Sequence, residues 1–155
     1  MRRLLVVGLG VVLAGCASAG ADREVAAPQE AAPLTAGATL KDKDGKDVGA
    51  ATLIQTAEGL RIAITGYRMP PGPKAVAVSA VGVCQPPEFA SAGASRGELP
   101  GMTMSAAGEG GIDTVTSALT LQPGGPNSLL AGNGSAVVVS APGGARLACG
   151  VITRD

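Results

Sequence analysis

Apolar residues occupy this chain in two quite different patterns. Leu4 to Leu13 is a continuous apolar run behind the basic start Met1-Arg2-Arg3. Crossing a bilayer takes roughly 20 such residues, about twice this run, so the segment reads as a secretory signal and not a membrane span. From Thr35 onward apolar positions come in short stretches separated by Gly, Pro, Asn and Asp clusters. None has the length and 3.6-residue period of an amphipathic helix. Leu60, Ile62 and Ile64 alternate with Arg61, Ala63 and Thr65, and Val76 and Val78 alternate with Ala75, Ala77 and Ser79. Such a period of two sends one set of side chains to a core and the other to solvent. Further strands are predicted over 38–40, 48–54, 113–121, 135–141 and 146–152. Asp44-Gly45 reads as a hairpin turn because glycine accepts the positive φ that tight hairpins demand, and Asn133-Gly134 repeats the signal. Stretches 108–111 and 123–126 read as loops. About seven or eight strands at this spacing predict an all-β domain, a sandwich or barrel.

Composition narrows the picture. A length of 155 residues suits one domain with some terminal sequence. Tyr67 and Phe89 are the only aromatic residues, so the core must be built from aliphatic side chains. Basic residues are scattered and not gathered into a stripe, and there are too few rings to stack on bases. Nucleic acid is therefore not an expected partner. Histidine is absent from the whole chain, which excludes imidazole-based metal and triad chemistry. Gly93-Ala94-Ser95-Arg96-Gly97 matches a nucleophile-elbow pattern, but without a histidine base or a strand-turn-helix setting it predicts no hydrolase.

The small residues Leu13-Ala14-Gly15 before Cys16 resemble the bacterial lipobox, in which the cysteine is acylated and becomes the new N-terminus. The resemblance implies a removed signal at 1–15 and a membrane partner through lipid on Cys16. Removing Arg2 and Arg3 leaves ten basic against twelve acidic side chains. Ala17 and Ser18 follow in place of an inner-membrane retention aspartate, so an exported, periplasm-facing protein on the outer membrane is expected. Segment 16–34 is rich in Ala and Pro and reads as a flexible tether, leaving 35–155 as the folded domain.

Two cysteines remain, Cys84 and Cys149, in a chain bound for an oxidising compartment. A disulfide is the economical reading. It would close a loop of about 65 residues and stabilise by roughly 4 kcal/mol in the chain-entropy account. The competing reading is a soft metal site, for which two thiolates fall short of the four ligands zinc takes.

Several stretches together resemble the bacterial copper/zinc superoxide dismutases from about Thr35 to Thr153. They are Met69-Pro70-Pro71-Gly72, Gly82-Val83-Cys84, Phe89-Ala90-Ser91-Ala92-Gly93, Gly97-Glu98-Leu99-Pro100, Gly132 to Val139, and the closing Arg146-Leu147-Ala148-Cys149-Gly150-Val151-Ile152. The resemblance implies an eight-stranded Greek-key barrel, a disulfide from a loop to the last strand, and copper and zinc sites on the barrel's outer face. The positions that carry copper ligands in the family fall at Ala77, Ser79, Ser95 and Ser140. A methyl group has no lone pair, and a hydroxyl is a poor substitute for imidazole nitrogen at copper. Glu98 keeps a carboxylate at the zinc aspartate's place, alone. The zinc loop has no counterpart between Gly93 and Gly97, and the acidic steering stretch is cut to Pro142-Gly143-Gly144. Arg146 matches the anion-attracting arginine but has no metal to serve. No cofactor is therefore expected.

Ligand and loop loss together predict an inactive member of the family, retained as an envelope binding or structural module with a protein partner not identified by the sequence. One alternative is copper handling through the thioethers of Met102 and Met104, two residues apart and helped by Glu98; the bland reading of both is core filling. A second alternative is a dismutase with an atypical metal site.

Overall fold

The computed structural model describes residues 31–155. The signal at 1–15, Cys16 and the tether as far as residue 30 lie outside the described residues. Among the described residues the strands are β1 (Thr35–Asp42), β2 (Asp47–Gln55), β3 (Leu60–Gly66), β4 (Gly72–Ser79), β5 (Ser95–Met104), β6 (Gly110–Thr116), β7 (Ala136–Ser140), β8 (Arg146–Val151) and β9 (Thr153–Arg154). One turn of 3-10 helix, Ala90–Ala92, interrupts the connection between β4 and β5. The strands pair antiparallel in the order β5-β4-β7-β8-β1-β2-β3-β6, with β9 continuing the edge of β8 along β1. The sheet curls into a nearly closed eight-stranded barrel.

The alternation read in the sequence produces the core. Leu60, Ile62 and Ile64 on β3 and Val76 and Val78 on β4 all point inward, and they meet Leu40, Leu53, Val137 and Val139 from neighbouring strands. Burying each such side chain contributes about 1.5–3 kcal/mol, which lets an aliphatic core stand without aromatics. The barrel's two terminal strands, β5 and β6, meet at one end, where a Cβ on Gly110 would lie 2.5 Å from the Thr103 carbonyl oxygen. At the other end the segment after β6 fills the gap: Leu119, Leu121 and Leu129 enter the main core, and Leu119 packs against Gly97 of β5. Gln55 Oε1 fixes this plug by accepting hydrogen bonds from Thr120 Oγ1 at 2.8 Å and the Leu121 amide at 2.9 Å.

The Asp44-Gly45 hairpin forms as expected between β1 and β2, with Gly45 at φ 78°. Three expectations are corrected. The strand predicted over 113–121 stops at Thr116, because Leu119 and Leu121 are buried as a plug and not as ladder members. Asn133-Gly134 is not a hairpin tip: it closes a turn in which the Gly134 amide donates to Ala131, and β7 beyond it pairs with β4 and β8. Gly110 and Gly111 lie inside β6, so the loop predicted over 108–111 is only its first half.

Across β3 and β6, Arg61 donates Nε and Nη2 to the two carboxylate oxygens of Asp113. This donation holds the Asp113 carboxyl below its ordinary range, against a smaller opposing effect of desolvation. A carboxyl depressed in the folded state stabilises it above the ordinary carboxylate range, and that contribution is lost as pH falls through the depressed value. Asp113→Asn should therefore lower Tm slightly at pH 7, in a salt-sensitive way, and the difference from wild type should shrink as pH falls below about 4 and vanish only beneath the depressed value. Thermal unfolding of both proteins across pH checks this.

Candidate functional site

Because Val76 and Val78 are committed to the core, Ala75, Ala77 and Ser79 emerge on the outer face of β4. The register carries that face across three strands. Ala77 lies opposite Glu98 on β5, Ser79 opposite Ser95 on β5, and Ala75 opposite Ser140 on β7. Ser140 in turn pairs with Arg146 on β8. The positions the resemblance singled out are thus brought together on one outer face, although they span much of the sequence.

Ser79 points outward and is nevertheless 2% exposed. The chain after β4 folds back over it: the Ala80 amide donates to Ala94 and the Val81 amide to Ala92. Beyond these bonds the loop runs through Cys84, which forms a disulfide with Cys149 of β8 at a Cα–Cα distance of 5.7 Å. The pairing settles the two cysteine alternatives in favour of the bridge. Ser91 Oγ ties the loop internally, accepting from the Gln85 amide at 2.8 Å and donating to the Val83 carbonyl at 3.1 Å.

Phe89 is the centre of a second apolar cluster outside the barrel, with Ala92, Ala136, Val138 and Cys149 and with Cys84 packed against it. Its backbone sits at φ 51°, ψ 27°, a left-handed conformation that costs a bulky residue on the order of 1–3 kcal/mol. Burial of the ring to 2% exposure returns about 1.5–3 kcal/mol. Arg146 reinforces the conformation. Its Nη1 donates to the Phe89 carbonyl at 2.5 Å and its Nη2 to the Gly93 carbonyl at 2.6 Å, so one guanidinium grips both ends of the 3-10 turn. The sequence left Arg146 without a task and, although Phe89 heads one of the resembling stretches, gave its ring no role. The available signal was the one phenylalanine of the chain, placed just before Ser91-Ala92-Gly93.

A cleft of about 500 Å³ opens beside this loop, lined by Pro87, Glu88, Ala90, Gly144, Ala145 and Arg146. Gly144 and Ala145 line it from a tight turn closed by the Ala141 amide donating to the Ala145 carbonyl.

The donor set does not fit copper or zinc. Among the described residues no three His, Cys, Asp or Glu side chains gather as metal ligands. Both thiols of the domain are consumed in the disulfide, and Glu98 is the single carboxylate on the outer-face positions. Copper redox chemistry calls for nitrogen donors and a zinc site for about four ligands. The carboxyls with displaced pKa lie elsewhere and have structural causes: Asp42 is lowered chiefly by the Lys46 backbone amide, and Glu58 by its own backbone amide and the Thr56 hydroxyl.

The thioether alternative is not favoured. Met102 and Met104 are each 2% exposed and belong to the main core. Opposite them β4 and β5 lose register between Lys74 and Val76, a bulge at Pro100-Gly101 that reverses which residues of β5 face inward. Glu98 lies outward beyond that bulge and cannot join the two sulfurs.

No family model matches the chain. A copper-zinc superoxide dismutase of Caulobacter vibrioides is 30% identical over 148 residues, covering 76% of this chain and 85% of that protein. Copper-zinc superoxide dismutase 1 of Aquifex aeolicus is 27% identical over 144 residues, covering 74% of this chain and 85% of its own length. An aligned length of 148 against 76% of a 155-residue chain means the Caulobacter protein carries segments with no counterpart here. Among solved structures, a SOD-like protein from Bacillus subtilis superposes with a TM-score of 0.67 at 24% identity, covering 76% of this chain and 97% of the other. The Cu/Zn superoxide dismutase of Brucella abortus superposes at 0.61 and 20% identity, covering 77% and 99%.

The burial of the two methionines predicts that Met102→Leu, Met104→Leu changes stability by less than about 1.5 kcal/mol, a near volume-conserving swap. Denaturant unfolding measures that, and titration with cuprous ion should give the same affinity for variant and wild type.

Proposed function

Because the chain belongs to the copper/zinc superoxide dismutase family, we propose that it is a non-catalytic member of it, an envelope lipoprotein whose barrel serves as a binding or structural module. The observation that carries this reading is chemical. The outer-face positions that would hold copper are Ala77, Ser79, Ser95 and Ser140, and no imidazole exists anywhere in the chain to replace them. Glu98 is left as a lone carboxylate, and Arg146, which the resemblance assigns to anion attraction, has both terminal nitrogens engaged with backbone carbonyls. Fold likeness transmits the scaffold, whereas activity depends on the side chains placed on it. Lipidation at Cys16 and the tether 16–34 complete the reading by holding the barrel on the periplasmic side of the outer membrane, within reach of envelope proteins.

Purified protein incubated with copper and zinc and then dialysed should retain neither metal in stoichiometric amount and should remove superoxide no faster than buffer. Metal-dependent turnover approaching the diffusional ceiling of about 10⁸–10⁹ M⁻¹s⁻¹ would sink the proposal. For the anchor, Cys16→Ser should move the protein from the membrane to the soluble envelope fraction and abolish incorporation of labelled fatty acid, both read after fractionating cells.

A further inference from the structure

Arg68, in the connection between β3 and β4, has φ 58°. This left-handed region suits glycine and asparagine and costs other residues on the order of 1–3 kcal/mol. Among the described residues Phe89 is the other non-glycine residue there, and its cost is offset by burial of its ring. Arg68 is exposed. Its guanidinium lies 5.8 Å from the centroid of the Tyr67 ring, an exposed contact that offsets about 0.5–1 kcal/mol. The conformation is imposed by its neighbours. The Tyr67 amide donates to the Val48 carbonyl at 2.8 Å and the Met69 amide to the Gly108 carbonyl at 3.4 Å, and the Met69 side chain is buried. The backbone is thus held on both sides of an arginine that gains little from packing. Strain kept at an exposed cation directs attention to what the cation faces.

We propose that Arg68 and Lys43 form a binding site for a small free oxyanion, a carboxylate or a phosphate, in the cleft between the β1–β2 turn, the β3–β4 connection and the start of β8. The cleft measures about 200 Å³, below the roughly 300–1,000 Å³ of drug-sized sites, so it suits a compact anion. Val48, Met69 and Leu147 supply apolar lining, and Lys43, Arg68 and Arg146 line it against one carboxylate, Asp42. That carboxylate is engaged within the turn, where its Oδ1 accepts from the Asp44 and Lys46 amides, each at 2.9 Å. Arg146 has both terminal nitrogens on the Phe89 and Gly93 carbonyls, which leaves recognition to the other two cations. Lys43 pairs only with the adjacent Asp44 at 3.2 Å, and both side chains are more than half exposed, a contact too weak to hold it from a ligand. Among the described residues no carboxylate pairs with Arg68, so its planar fork stays open for two parallel bonds to an oxyanion. The proposal goes beyond the reading of the barrel as a binding or structural module by giving it a ligand class. Ala77, Ser79, Ser95 and Ser140 do not line the cleft, so the site stands or falls independently of the outer face.

Calorimetric titration of the purified protein with inorganic phosphate and, separately, with succinate tests the site, at constant ionic strength and with sodium chloride as control. One or both anions should bind saturably at one site per chain, and the pair of probes shows which oxyanion is preferred. Arg68→Asn removes the guanidinium and relaxes the backbone. It should weaken binding by about tenfold or more, as expected for losing hydrogen bonds from a charged group, and leave Tm without ligand unchanged or raised. A residue that served only the fold would do the reverse, lowering Tm and sparing affinity. Arg68→Lys keeps the charge without the fork and should lose less affinity than Arg68→Asn. Lys43→Gln should weaken binding, whereas Lys46→Gln, on the same turn but outside the cleft lining, should not. Absence of saturable binding above the chloride control, or equal affinity in wild type and Arg68→Asn, or equal loss in Lys46→Gln and Lys43→Gln, overturns the site. None of these results touches the non-catalytic reading, which metal-dependent turnover decides.

Discussion

The two-residue period of β4 is the constraint on which this molecule depends. Val76 and Val78 face the barrel interior and are paired in register with Val139 and Val137, while Ala77 and Ser79 face outward. A slip of one residue would exchange the two sets, so core packing fixes the register and thereby dictates which side chains appear outside. The inward set answers to volume and apolarity. The outward set answers only to whatever docks on that face. The two evolve as separate alphabets written on the same strand, and small polar residues can replace outward ligands without moving the core.

What docks on the outward face of this chain is its own loop. Ordering a backbone costs about 1–2 kcal/mol per residue, which an exposed loop rich in Pro and Ala has few means to offset. A metal coordinated by loop and strand side chains would supply one. Here the compensation is distributed among the disulfide, the Phe89 ring and the Arg146 guanidinium, with Ser91 closing the arc. The distribution explains why the one phenylalanine of an aromatic-poor chain lies outside the main core: the barrel interior is filled by aliphatic side chains, whereas the outer face needs one large surface to hold a loop.

Most of the fold was legible from alternation and turn chemistry, and the places where it was not have physical causes. β5 was hidden because Gly97, Pro100 and Gly101 interrupt its pattern, and its bulge shifts the inward residues from Leu99 to Met102, breaking the period of two. Leu119 and Leu121 imitate a strand by alternating, yet they alternate because a loop dips twice into the open end of the barrel. Asn133-Gly134 has hairpin chemistry but joins strands that are not neighbours, a long-range fact that local sequence does not contain. The outer-face positions were found by resemblance to a family and not by composition, since Ala and Ser carry no signal of a former ligand. The partners of Arg146 were invisible for a related reason: its bonds go to backbone carbonyls, which every residue possesses.

The pattern of loss bears on how the scaffold is to be understood. A damaged enzyme would keep some ligands and its long loops, because independent substitutions seldom remove a whole site. In this chain there is no imidazole, Gly93 leads almost directly into β5, and the turn after Ser140 is a tight closure between β7 and β8. Core, disulfide and register meanwhile remain intact. An outer face without ligands over a fully packed inner face supports the proposed reading of a folded, non-catalytic barrel. Recognition by such a barrel has to be sought in its outward residues, where Glu98, Ser95, Ser140 and the cleft beside Arg146 offer hydrogen-bonding and charge in place of coordination.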